Sequence, residues 1–568
     1  MKIALAQLNY RVGDFGNNVS RIIETIEKAK LQQADVVVFA ELGVCGYPPR
    51  DFLEFNDFIR RCDEAVAVIA AKCVGIAAIV GAPSANPALK GKPLYNSAYF
   101  LADGKILATA NKTLLPNYDV FDEYRYFEPN RMPYSVAEYR GCRFAVTICE
   151  DLWNITDDPL YIRNPMDELI KLDPDVIINI AASPFNYEQQ EIRYGVLSRN
   201  AKTYSLPVIY VNQVGGQTEL IFDGASMVVD DEGGVVAVLK EFEEDFYLYE
   251  MQKAIGNRLK VIAGIKPTQI QNKFKSSDLQ TFKSLVSADT IRLIHAALVL
   301  GIRDYFGKMD FSRAVLGLSG GIDSAVTLVL AAEALGNDHV RAVLLPSKFS
   351  SGHSIADAVS LAGTLKVKYD IIPIEEAFQS VGKTLQPQFE GLPFNLAEEN
   401  IQARLRAVIL MALCNKFGYI LLNTSNKSEA AVGFGTLYGD MCGGLSVLGD
   451  VYKTQVYELA RYINKDREII PRNSIIKPPS AELRPGQKDS DSLPDYHILD
   501  QILYSYIEQR SGPAELIEAG FEETVVKKIL KLVNTNEYKR FQTPPILRVS
   551  PKAFGMGRRM PIAGKYLS

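Results

Sequence analysis

Ala314-Val315-Leu316-Gly317-Leu318-Ser319-Gly320-Gly321-Ile322-Asp323-Ser324 joins an apolar strand to an apolar helix through a loop with two glycines. Glycine has no Cβ, so the backbone there curls tightly and approaches an anion closely. The helix beyond begins with unpaired N–H groups aimed at the same spot, which suits phosphate. A Walker-type loop is excluded, because no lysine follows the glycines. Read for structure alone, the string is a strand-to-helix turn with a serine or aspartate cap. Around it the pattern predicts a helix over Asp289 to Phe306 and strands over Arg341 to Leu345 and Tyr419 to Leu422. Such alternation implies a doubly wound parallel sheet with a ligand crevice at the strand C-termini.

Upstream, short apolar strands alternate with helices: Lys2 to Leu8, Val36 to Phe39, Ile76 to Val80, Phe144 to Ile148, Val176 to Ile180 and Val208 to Val211. Asn18 to Leu31 carries apolar residues at helical spacing. Tyr95 to Leu101 and Ile106 to Ala110 read as a hairpin. Mixed βα units and hairpins suggest sheets layered together and flanked by helices. Polar residues dominate from Glu250 to Ser287. The expected organisation is therefore a first domain over 1–250, a linker over 251–287 that includes Lys266-Pro267-Thr268-Gln269, and a second domain over 288–568. No internal repeat or low-complexity tract is evident.

The chain of 568 residues is 47% hydrophobic, ample for two cores. Its 62 basic and 67 acidic residues leave a net charge of -5, with no basic field for nucleic acid. The seven cysteines are scattered without zinc-site spacing, as in a reducing compartment. No signal peptide is read at the N-terminus, and no apolar run reaches the ~18 residues of a membrane span. A cytoplasmic protein without membrane partners is expected. Of the four histidines the first is His295, so a Cys-His or Ser-His pair is excluded from the first half.

The string Ser319 to Ser324 matches the pyrophosphate loop of ATP pyrophosphatases of the adenylating amidotransferase type. Asn423-Thr424-Ser425-Asn426-Lys427-Ser428-Glu429, Tyr438-Gly439-Asp440 and Lys453-Thr454-Gln455 follow in order. Together they resemble the NAD synthetase family over nearly all of 289–568, which implies a Rossmann-like ATP pyrophosphatase domain. The resemblance implies ATP as co-substrate on Ser319, Gly320, Gly321, Asp323 and Ser324, with no tightly bound prosthetic group. It also implies magnesium on Asp323 and Glu429, phosphate on Lys453, and adenylate seated by Thr424. Asp440 and Arg404 would contact the pyridine-side substrate. Hard oxygen ligands suit magnesium, and lysine neutralises a leaving pyrophosphate. The tail around Lys539-Arg540 looks like the glutamine-dependent branch, while Tyr538 receives no role. Ser350 to Ser354 and Lys477 to Asp495 resemble loops that close over that family's site.

In the first half, Glu41 in Phe39-Ala40-Glu41-Leu42, Lys112 in Asn111-Lys112-Thr113 and Cys149 in Ile148-Cys149-Glu150-Asp151-Leu152-Trp153 each follow an apolar strand. A free thiol has a pKa near ~8.5 and needs a cation or base to act as a nucleophile. The set resembles the Glu-Lys-Cys triad of the nitrilase superfamily over most of 1–250, which implies an αββα sandwich. Cys149 would attack a carboxamide to give a thioester and ammonia, Lys112 would support the oxyanion, and Glu41 would shuttle protons. Glu123 looks like the accessory glutamate. Tyr118 and Ser183 match the glutamine pocket, and Arg193 is the candidate for the glutamine carboxylate. Trp153 and the other cysteines are read as structural.

The combination implies glutamine hydrolysis feeding ammonia to adenylylated nicotinic acid adenine dinucleotide, in a homo-oligomer. GMP and asparagine synthetases compete, but the first pairs its cysteine with histidine and the second uses an N-terminal cysteine, where this chain has Lys2. An amidase carrying a nucleotide-sensing domain is the rival of another class, and turnover of ATP to AMP discriminates it.

Overall fold

The computed structural model describes residues 1–88, 90–155, 157–253, 259–261 and 285–566. It forms two compact units, Met1–Gln217 with Ile221–Phe274, and Thr218–Leu220 with Lys275–Ser568. Most of the stretch expected as a linker, including 266–269, lies outside the described residues. Its beginning completes a strand, Asp245–Lys253, that runs through position 250.

The first unit contains strands β1 (Lys2–Gln7), β2 (Val36–Val38), β3 (Ala77–Ala85), β4 (Leu94–Ala102), β5 (Lys105–Asn111), β6 (Ala137–Tyr139), β7 (Cys142–Ile148) and β8 (Val176–Ala181). After them come β9 (Val208–Asn212), β10 (Val214–Gln217), β11 (Leu220–Asp223), β12 (Met227–Val229), β13 (Val235–Val238), β14 (Asp245–Lys253) and β15 (Leu259–Val261). One sheet runs β15-β14-β1-β2-β3-β4-β5 and a second runs β13-β12-β9-β8-β7-β6. The central strands pair in parallel and are buried along their length, which is why Val36-Val37-Val38 reads as an unbroken apolar run. Ile3, Leu5, Val38 and Phe100 of the first sheet share one core with Phe144, Ile178, Ile209 and Val228 of the second.

Helices α1 (Phe15–Leu31) and α2 (Asn56–Ala70) follow strands of the first sheet, and α3 (Pro165–Leu169) and α4 (Gln189–Tyr204) those of the second. Asp14 caps α1, whose Ile22, Ile26 and Ala29 are buried at helical spacing. The result is the expected αββα sandwich.

In the second unit, β16 (Ala314–Gly317), β17 (Val340–Leu344), β18 (Lys368–Ile371), β19 (Ile420–Asn423) and β20 (Leu445–Ser446) form one sheet, ordered β18-β17-β16-β19-β20. Every pairing in it is parallel. The helices important below are α5 (Ala288–Lys308), α6 (Ile322–Leu335), α7 (Gly352–Leu365), α8 (Glu375–Phe389), α9 (Leu396–Phe417), α10 (Lys427–Val432), α11 (Lys453–Ile463), α12 (Arg472–Ile476) and α13 (Tyr496–Ile507). The chain leaves β16 toward β17 on one side and later returns to β19 on the other. The crevice of a doubly wound sheet therefore opens beyond the ends of β16 and β19. Of Ser350 to Ser354, expected as a loop, Gly352 to Ser354 instead open α7, with Ser351 as the N-cap accepting the Ser354 N–H at 3.3 Å. Among the described residues no helix is long and apolar enough to cross a membrane.

Candidate active sites

Three strand ends assemble the first site. Beyond β2, the chain turns sharply at Ala40–Leu42. This turn passes so close to β3 that a Cβ on Gly81 would lie 2.3 Å from the Leu42 nitrogen. Glu41 is thereby fully buried, with Oε2 accepting the Ala182 N–H at 2.9 Å. Beyond β5, Lys112 places its ammonium 2.7 Å from Glu41 and 2.8 Å from Glu123. Glu123 also accepts the Tyr47 hydroxyl at 3.0 Å, and Asn96 donates to Glu41 at 2.7 Å. Burial alone would lower the Lys112 pKa, but Glu123 and Glu41 outweigh it and hold the ammonium well above the lysine range. Burial pushes Glu123 up to about 7 against the pull of Lys112.

Cys149 follows β7 and opens a short turn, Cys149–Leu152, with φ at 42°. A left-handed non-glycine backbone is costly and is found where a side chain must be aimed. Burial raises the thiol well above its ordinary value, Glu41 adds to the rise, and Lys112 opposes it. The Asp151 carboxylate accepts the N–H groups of Thr113 and Leu114, each at 2.9 Å, and of Ile148 at 3.1 Å. One buried side chain therefore ties the strand end of Lys112 to that of Cys149. Next to the thiol, Glu150 accepts hydroxyls from Tyr118 at 2.8 Å and Tyr161 at 3.0 Å.

The second site is built on the glycine loop. Gly320 has φ at 80°, and a Cβ there would lie 2.1 Å from the Ser354 carbonyl oxygen. The helix cap is Gly321, with no side-chain cap. Ser324 instead turns its hydroxyl back to Ser319 and to the Gly321 carbonyl. The first N–H groups of α6 thus face the crevice without a serine or aspartate across them. Asp323 accepts Lys453 Nζ at 2.5 Å and Asn426 Nδ2 at 2.8 Å, and Glu429 accepts the same ammonium at 3.2 Å. Lys453 is buried, and the carboxylates outweigh burial to hold it above the lysine range. Burial raises Glu429 to about 8, which Lys453 opposes and Asp323 reinforces. Ser319, Gly321, Asp323, Ser324, Thr424, Glu429, Asp440 and Lys453 all line a cavity of about 610 Å³, a volume typical of small-molecule sites.

Similarity to known proteins follows the same division. Residues 2–257 match the carbon-nitrogen hydrolase family and 294–543 match NAD synthase. A glutamine-dependent NAD(+) synthetase from Synechocystis is 44% identical, over 99% of this chain and 98% of its own. One from Acinetobacter baylyi is 42% identical, over 99% and 98%. The solved structure of the Acinetobacter baumannii enzyme in complex with ADP aligns with a TM-score of 0.75 and 39% identity, over 99% of this chain and 98% of that one. The chain belongs to the glutamine-dependent NAD(+) synthetase family. It is a carbon–nitrogen ligase of that family, and ATP is its co-substrate.

Within this NAD(+) synthetase framework, Arg193 lies within electrostatic reach of the Cys149 thiol, whereas Arg404 stands away from the second cavity. Arg193 is fully buried and forked onto Asp223, 3.0 Å from each oxygen, with its guanidinium near the Tyr210 ring. Its terminal nitrogens are engaged by a carboxylate of the chain itself, a partner that sequence spacing does not reveal. Arg404 is exposed on α9, with Nε donating to the Leu437 carbonyl at 3.2 Å, and does not line the cavity. Arg406 does. Two residues along a helix turn about 200°, so both cannot face one crevice. Ser183 is buried against Asn212, which accepts its N–H at 2.9 Å.

The 477–489 segment lines the same cavity, and its Glu482 accepts the hydroxyls of Ser351 and Ser354 at 2.7 and 2.8 Å. Among the described residues no three His, Cys, Asp or Glu side chains are arranged to enclose a metal. Magnesium needs no such cage, since it takes one or two carboxylates, water and substrate phosphates. Asp323 and Glu429 fit that donor set.

Proposed function

We propose that Cys149 is the nucleophile of the glutaminase reaction, with Glu41 as base, Lys112 as oxyanion donor and Glu123 as accessory carboxylate. The thiol attacks the carboxamide carbon of glutamine, its proton passing to Glu41. A thioester forms and ammonia leaves with that proton. Water then attacks the thioester, Glu41 taking its proton, and glutamate departs as the thiol is restored. Glu150 and Tyr118 border the glutamine, with Ser183 nearby, and Arg193 acts on it through its pairing with Asp223. What supports this reading is the Lys112 ammonium held 2.7 Å from Glu41, at the mouth of strands whose third end carries Cys149.

In the second unit, the substrate carboxylate of nicotinic acid adenine dinucleotide attacks the α-phosphorus of ATP. Pyrophosphate leaves on the Ser319–Ser324 loop, with Lys453 neutralising its charge. Ammonia from the first site then displaces AMP to form the amide of NAD. Asp323 and Glu429 would hold magnesium, whose chemistry there is charge neutralisation on the phosphates. Thr424 seats the adenylate. Asp440 orients the pyridine-side substrate within the cavity and Arg404 meets it outside. The working form is a cytoplasmic homo-oligomer. Cys149→Ala should abolish NAD formation driven by glutamine and leave formation driven by ammonium unchanged, with AMP released in step. Loss of both activities in a folded protein would overturn the division of labour.

A further inference from the structure

Asp323, Glu429 and Lys453 come from three separate helices, α6, α10 and α11, yet must stay within hydrogen-bond reach of one another. Helix α10 has only six residues, and beyond the Asn426 cap, which accepts the Glu429 N–H at 3.0 Å, its placement depends on neighbouring helices. We propose that Asp500, on α13, is a positioning residue for this site, an inference that rests on the synthetase reading above. Its side chain is fully buried. One carboxylate oxygen accepts the hydroxyl of Ser428, the residue before Glu429. The other accepts the N–H of Thr454, the residue after Lys453, at 2.9 Å. Ser428 Oγ in turn accepts the Lys453 N–H at 2.8 Å. These contacts close a ring that runs from α13 to α10 to α11 and back.

The ring explains the choice of side chain. Both groups facing Asp500 donate to it, and a side chain with no acceptor there would leave the Thr454 N–H and the Ser428 hydroxyl without their partner. A buried carboxylate is expensive unless its hydrogen bonds are made. Here its two oxygens are spent on the immediate neighbours of Glu429 and Lys453. The preceding Lys427 is anchored separately, with its ammonium 2.8 Å from Asp450 and 2.6 Å from Glu508. Loosening Asp500 therefore frees the register between α10 and α11 without releasing α10 altogether. A displacement of the order of 1 Å in a positioning contact costs up to about a hundredfold in rate.

The test uses the full chain and ammonium-driven NAD synthesis, with glutamate release from glutamine as a control on the first unit. Asp500→Ala should lower kcat ten- to hundredfold and leave glutamate release and the KM for the dinucleotide substrate unchanged. Ser428→Ala should do the same. The double variant should be no worse than the poorer single, because both substitutions open one ring. A kcat for Asp500→Ala within twofold of the native protein, or losses that multiply in the double variant, would overturn the proposal. If Asp500→Ala does not fold, Ser428→Ala decides on the same kcat and KM criteria. Native protein that makes NAD from neither ammonium nor glutamine would instead refute the synthetase reading itself.

Discussion

Replacing Lys112 with methionine separates chemistry from folding in the first site. The native ammonium sits between two buried carboxylates, 2.7 Å from Glu41 and 2.8 Å from Glu123. Methionine keeps the length of the stem and removes the only charge between them. Removing one partner of a buried ion pair costs about 3–5 kcal/mol. At about 2–4 °C per kcal/mol for a unit of this size, the first unit's melting transition should fall by roughly 6–20 °C. Loss of a preorganised oxyanion donor costs about 10²–10³ in rate, and the thiol also loses the Lys112 charge that opposes its rise. Glutamate release should therefore fall at least about a hundredfold, while ammonium-driven NAD formation persists below the lowered transition. In Lys112→Met/Glu123→Gln the repulsion between the two carboxylates is gone but Glu41 still lacks its cation, so the melting temperature should recover in part while glutamate release stays low. A folded Lys112→Met protein that releases glutamate within tenfold of the native rate would refute the assignment, as would a double variant that regains activity.

Gly320→Ala should disable the second site alone. Its Cβ would lie 2.1 Å from the Ser354 carbonyl at a φ of 80°, so the loop must shift; ATP titrations should show KM raised more than about tenfold with glutamate release intact, given ~1–2 kcal/mol for the left-handed backbone alone. Glu123 has an ordinary value of 4.5 and a folded value of about 7. Its contribution to stability is therefore complete below 4.5 and is lost as pH rises through 7, amounting to about 3 kcal/mol at 1.36 kcal/mol per unit. Melting curves between pH 5 and 8 should slope downward more steeply for the native protein than for Glu123→Gln; parallel curves would refute this.

Much of this architecture is legible before any coordinates. Strands, hairpin and glycine loop follow from local apolar patterning, and Glu41, Lys112 and Cys149 announce themselves because each stands just past an apolar run. What escapes is whatever depends on residues meeting across the fold. Asp151 lies inside the quoted cysteine string, yet its role appears only once its contacts to Thr113 and Leu114 are known. Asn96 and Asp500 carry no local signal, because an isolated polar residue in a strand or helix looks alike in solvent and in a hydrogen-bonded core. Arg404 and Arg406 are two steps apart in sequence and on different sides of a helix. Arg193 reads as a ligand contact by its position, and its pairing with Asp223 is invisible until β11 is placed. Ser351-Gly352-His353-Ser354 reads as a loop by composition, although serine at a helix cap explains it equally well.

Both halves use the same charge count, one buried lysine against two acids, on unrelated folds. Variants at these six positions should therefore sort into two kinds. Losing an acid relieves repulsion, so the chain still folds and accumulates as an inactive enzyme. Losing a lysine sets two acids against each other, and the variant is removed by the cell before its chemistry matters. Selection on the acids acts through metabolism, whereas selection on Lys112 and Lys453 acts first through protein abundance. Two sites with different reactions thus share one pattern of genetic vulnerability.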